Sequence, residues 1–196
     1  MKPEDLIYPA VFFQGNVYFL EHANRITSSR FGGPVDYDVT GIKHGPRKLH
    51  HFLTLQGDSF EPLWNTPGVF VMQLPYAMCF GGGDMTYVHS YTGVTIEEMS
   101  QATSSEDWPY PDYPAMLPYF PLRLKERVES TLDEFTAPFA LNLEASSSDA
   151  VVIVPPSPVL GMSLWGPSGD AEGVLVVFVV RMKAPLRVRA FNHLPS

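Results

Sequence analysis

Proline limits this chain more than any other residue. It occurs 19 times among 196 residues, about twice ordinary usage. Each one fixes φ and removes a backbone donor, so it interrupts helix interiors and central strands alike. The expected result is short elements, many turns and long surface connections, which rules against a helical bundle. A length of 196 residues suits one domain spanning 1–196. At that size folding buries roughly 70% of the surface an extended chain exposes, so one core needs no covalent staples. With 45% hydrophobic and 13% aromatic residues, the chain has the material for that core.

The apolar patterning is mostly strand-like. Val11-Phe12-Phe13 and Val17-Tyr18-Phe19-Leu20 flank Gln14-Gly15-Asn16, the pattern of a β-hairpin. A polar Gly/Pro-rich loop is expected from Ser28 to Pro46. Leu49 to Gln56 alternates, with His51 on the face of Leu49, Leu53 and Leu55, and His50 on the other. Val69–Leu74, Met85–Tyr91, Val151–Val154, Val159–Trp165 and Gly173–Arg181 read as further strands. Leu186 to Phe191 alternates with Arg187 and Arg189 outward, which suits a strand with one solvent-facing side. Helix is expected from Lys125 to Phe135, where Val128, Leu132 and Phe135 recur at i, i+4 and i+7. A weaker helical turn is expected near Thr95 to Gln101. Together these readings give a mainly β (α+β) fold of about nine or ten strands. Its sheets are open and largely antiparallel, with one principal helix.

Charge narrows the partners. The net charge is −8, and only 17% of residues are charged, against about 25% in a typical domain. Between Asp84 and Asp149 stand twelve acidic residues and three basic ones, so that stretch carries −9 and the remainder +1. A nucleic-acid binder needs the opposite sign to displace counterions from phosphate. A basic protein would be attracted instead. Cys79 is the sole cysteine, so no internal disulfide is possible. Met1 to Asp5 has neither a basic nor an apolar signal region. The longest apolar run, Val174 to Val180, falls far short of the roughly 20 residues that span a bilayer. A cytosolic protein with no membrane partner is expected, as a monomer or small oligomer.

Chemistry-bearing motifs are sparse. His44, His50, His51 and His89, with Cys79 and Asp84, form the pool of metal ligands. Adjacent His50 and His51 point to opposite faces of a strand and cannot share an ion there. No metal and no cofactor are expected. No nucleophile elbow surrounds a serine. Gly81-Gly82-Gly83-Asp84 lacks the lysine and hydroxyl residue of a phosphate loop.

The most informative stretch is acidic and aromatic: Glu106-Asp107-Trp108-Pro109-Tyr110-Pro111-Asp112-Tyr113-Pro114. Its prolines stiffen it, which lowers the entropy lost on docking. Trp and Tyr are the residues that dominate binding hot spots. Glu106, Asp107, Trp108, Tyr110, Asp112 and Tyr113 are therefore the expected partner-binding residues.

Three segments resemble the YwqG-like family, also called the DUF1963 domain. Ser29-Arg30-Phe31-Gly32-Gly33-Pro34 resembles its Gly-Gly-x-Pro entry motif. Leu49 to Leu55, with Phe52 and Gln56, resembles the apolar strand that follows. Leu74 to Tyr87 is similar to a hairpin of the same group. The resemblance implies open antiparallel sheets, a bacterial cytosolic setting and an immunity-type role beside toxin systems. It carries over no functional residue.

The leading expectation is a cytosolic protein-binding domain, of immunity or antitoxin type, that neutralises a basic toxin through its acidic–aromatic surface. The alternative is a small-ligand binder or hydrolase-like enzyme whose pocket draws on His50, Cys79, Asp84 and His89. A third reading is a structural subunit of a larger assembly.

Overall fold

Gln14 and Gly15 have φ of +47° and +73°. Two consecutive positive values make the tight turn that matches strand twist. They join β1 (Ala10–Phe13) to β2 (Asn16–His22) as the expected antiparallel hairpin. The structure is a computed structural model that describes residues 5–42, 49–77, 83–99, 116–160 and 175–193. Ten further strands follow: β3 (Arg30–Phe31), β4 (Asp38–Gly41), β5 (His50–Gln56), β6 (Val71–Tyr76), β7 (Met85–His89), β8 (Gly93–Met99), β9 (Phe120–Glu129), β10 (Asp149–Val154), β11 (Leu175–Arg181) and β12 (Arg187–His193). The helices are short, α1 (Glu61–Trp64) and α2 (Leu132–Thr136), the latter running into a 3-10 turn at Ala137–Phe139.

The twelve strands of the described residues join one sheet in the order β4-β8-β7-β12-β11-β10-β1-β2-β9-β3-β5-β6. Among the described residues every pairing is antiparallel except β4 with β8. The mainly β, largely antiparallel expectation holds.

Two-residue periodicity sorts the side chains cleanly. Val152 opposes Phe178 and Phe178 opposes Ala190, all on the inner face. Ile153 opposes Val177 and Val177 opposes Phe191 on the outer face. The sheet curls around the inner core, so that Phe52 of β5 meets Phe178 of β11 with ring centroids 5.9 Å apart. Phe52 also touches Phe31 and Tyr76. Such pairs add roughly 0.5–1.5 kcal/mol each beyond area burial. On the outer face, Phe135, Phe139 and Leu141 cover Phe12, Val17, Val151 and Val177.

Side-chain bonds tie the end strand β6 to β7 and β12. His89 Nε2 of β7 lies 2.5 Å from the Gln73 carbonyl oxygen of edge strand β6. Tyr76 Oη donates to the Gly83 carbonyl at 2.7 Å, and the Gly83 amide donates to Asn192 Oδ1 at 3.1 Å. The His89 contact occupies the backbone of Gln73 on the β6 edge.

The Gly-Gly stretch has a strict backbone task. Gly32 (φ +65°) and Gly33 (φ +81°) carry the chain past residues 117 and 118, and a Cβ on Gly32 would sit 1.9 Å from the Pro118 carbonyl oxygen. Only glycine fits there.

Several sequence expectations need correction. The 125–135 helix is instead the end of β9 followed by a short helix. Val128 is 45% exposed, so it does not belong to the stripe formed by Leu132 and Phe135. Ser130-Thr131 breaks the strand, and Thr131 with Glu134 forms a capping box that starts α2 afresh. The turn expected near Thr95 is strand β8, where Val94, Thr95 and Ile96 favour extended backbone. β3 and β4 lie inside the expected 28–46 loop. Pro158–Leu160 is a 3-10 turn, and the rest of the Val159–Trp165 segment lies outside the described residues. In β5 a bulge between His51 and Leu53 breaks the simple alternation, and both faces are buried.

Candidate functional site

His50, His51 and His89 are buried, whereas His44 lies outside the described residues. His51 bridges Tyr37 Oη (3.0 Å, through Nδ1) and Thr54 Oγ1 (2.9 Å, through Nε2). The bulge brings residues 51 and 54 to one side. Burial, reinforced by the Arg30 charge, pushes the His51 pKa down to about 3. Burial likewise lowers His89 to about 4, partly countered by its bond to Gln73. Both rings are neutral at physiological pH. Burial also raises the Tyr37 and Tyr87 phenols above their ordinary range. The Tyr87 hydroxyl and His89 Nδ1 are buried without hydrogen-bond partners among the described residues.

Of the residues proposed for a catalytic pocket, the described ones, His50, Asp84 and His89, do not converge. His89 meets β6 at Gln73, whereas His50 pairs with Tyr76, three residues further along. That is about 10 Å at ordinary strand rise. Asp84 lies on the outer face, where it accepts from Arg189 at 2.9 Å. Cys79 lies outside the described residues, as do Glu106, Asp107, Trp108, Tyr110, Asp112 and Tyr113. No group of three His, Cys, Asp or Glu among the described residues could hold a metal ion.

What the structure does assemble is three clefts, placed on the two sides of the β11–β12 turn. The first is an outer groove of about 320 Å³ crossing β10, β11, β12, β7 and β8. Glu97, Glu98, Glu144, Asp149, Arg181, Arg187 and Arg189 line it, with Val179 and Thr86. Arg187 pairs with Glu97, and Arg189 with Asp84. The remaining three carboxylates, Glu98, Glu144 and Asp149, face the single guanidinium of Arg181, a residual charge of −2. Asp149 is only 9% exposed. Its Oδ2 accepts from the Ser146 amide at 2.9 Å, while Oδ1 has no hydrogen-bond partner. A second cleft of about 490 Å³, lined by Leu141, Leu143 and Phe191, continues from the groove and shares Glu144, Val179 and Arg189 with it.

On the other side of the turn lies an apolar cleft of about 330 Å³ lined by Val69, Phe70, Val71, Tyr91, Pro185 and Leu186. Its rim is aromatic and solvent-facing. Phe70 is 79% exposed and Tyr91 fully so. Trp64, 65% exposed, sits over Gly57, whose amide bonds to the Phe70 carbonyl. Leu186 and Arg187 are consecutive, one in each cleft. A partner that covers this end of the molecule meets acid on one side and rings on the other.

These residues share no local signal in the sequence. Alternation did mark Arg187 and Arg189 as outward. It could not show that β7, β8 and β10, distant in sequence, bring Glu97, Glu98 and Asp149 to the same face. No helix among the described residues is long and apolar enough to cross a membrane. No protein-family model matches the chain, and neither a curated protein nor a solved structure matches it.

Proposed function

We propose that this chain is a binding protein for a basic protein partner, engaged through the end of the sheet around the β11–β12 turn. The observation that supports it most is the uncompensated acid of the outer groove, beside exposed Phe70 and Tyr91. Acids steer encounter with a cationic surface and rings supply affinity once it docks. An inhibitor of a basic toxin, an immunity-type role in the cytoplasm, needs nothing more than such a surface. In this reading Glu106, Asp107, Trp108, Tyr110, Asp112 and Tyr113 add to the same interaction, and the Ser29–Pro34 stretch reflects kinship with the YwqG-like family. Separation of Asp84 from His50 and His89 weighs against the hydrolase-like alternative.

The test is affinity capture with the full chain at low and high salt, followed by hydrogen-exchange mapping of the recovered complex. The expected partner has net positive charge, dissociates as salt rises, and protects residues 84–91 and 181–191. An acidic partner, or binding indifferent to salt, overturns the reading.

A further inference from the structure

We infer that the outer groove is a socket for a guanidinium or ammonium side chain from the partner, with Asp149 as its anchoring carboxylate. The inference rests on the binding reading above and adds to it a specific subsite. Three observations carry it. Asp149 is 9% exposed, yet its Oδ1 lacks a hydrogen-bond partner. A buried carboxylate oxygen is unfavourable without a donor, and a charged donor is the strongest remedy. Glu98 and Glu144 line the same cleft, and no ion pair to either occurs among the described residues. The cleft, at about 320 Å³, has room for one long side chain.

The chain holds a candidate cation of its own and does not use it. Arg181 stands directly opposite Asp149 in the β10–β11 ladder, but it leaves Oδ1 without a hydrogen bond. It is also directly opposite Arg187, which Glu97 already neutralises. Arg181 therefore competes with an incoming cation and moderates the socket's affinity. Apolar Val179 in the floor, and Phe191 beyond it, suit the methylene stem of such a side chain.

The experiment uses the isotope-labelled full chain titrated at low salt with the capped peptide Gly-Arg-Gly-Arg-Gly, with its glutamine counterpart as control. Saturable amide shifts are expected in Ser146–Asp149, Val179–Arg181 and Arg187–Arg189, and none with the glutamine peptide. Asp149→Asn should weaken binding about tenfold or more, and Arg181→Ala should tighten it. Should Asp149→Asn fail to fold, the exposed pair Glu98→Gln and Glu144→Gln gives the same readout. Saturable shifts confined to other surfaces overturn the socket while leaving a basic partner in place. Failure of the captured partner to be basic overturns the wider reading. Unchanged affinity in the carboxylate variants, or no saturable shift with the arginine peptide, also overturns the socket.

Discussion

Arg181 and Arg187 face each other directly across β11 and β12, two cations at one cross-strand position. Among the described residues Arg187 has an ion-pair partner, Glu97 from β8, and Arg181 has none. Like charges in register oppose strand pairing. The sequence keeps them at the mouth of a groove whose net balance is nonetheless acidic.

Replacing Arg181 by threonine should leave the fold intact and change its stability by no more than about 0.5 kcal/mol, because relief from Arg187, already paired with Glu97, is offset by loss of the cation that faces Glu98, Glu144 and Asp149. The urea midpoint measures this. A destabilisation beyond about 1 kcal/mol would show that the Arg181 stem has a packing role that outweighs its charge.

Acid should weaken the fold through its interior histidines. The folded-state pKa values of His51 and His89 are lowered to about 3 and about 4, from 6.5. The unfolded chain thus binds more protons between those limits. Stability is complete above pH 6.5 and declines as pH falls toward the folded values, by at most about 1.4 kcal/mol per unit for each ring. Denaturant titrations from pH 7.5 to 4.5 should show that slope, and His51→Gln should flatten it. A pH-independent midpoint across this range contradicts the buried, neutral assignment.

Gly32→Ala should be among the costliest single changes. It combines φ of +65° with a Cβ placed 1.9 Å from the Pro118 carbonyl. A loss of about 2–4 kcal/mol is expected, read as a lowered thermal midpoint. A shift near zero would mean that residues 117–118 give way freely.

Tyr91→Ser and Phe70→Ser should change stability by no more than about 0.5 kcal/mol, as solvent-facing substitutions do. Their exposures are 101% and 79%. Affinity for the captured partner should fall at least about tenfold with the two combined. Full affinity in the double variant would exclude the apolar cleft from the interface.

Much of the architecture could be read from the sequence because strand alternation is a local signal. The β1–β2 turn, the buried run in β11 and the outward arginines of β12 all announce themselves within a few residues. Where the reading failed, two periods overlapped. Val128, Leu132 and Phe135 fit a helical spacing, yet the first belongs to a strand and the other two to a helix begun by the Thr131 cap. The clefts were hidden for a different cause. Asp149, Glu98 and Arg187 come together only through the order of strands in the sheet, which no local pattern encodes. His51 was placed on the wrong face because a bulge cannot be seen in alternating letters.

The most direct test of acid-driven recognition is the affinity of the captured partner for the full chain carrying Glu98→Lys and Glu144→Lys, measured by calorimetry at low and at high salt. Binding at least about tenfold weaker at low salt is expected, with the difference shrinking as salt screens the groove. Equal affinity for wild type and the double variant at low salt would contradict it.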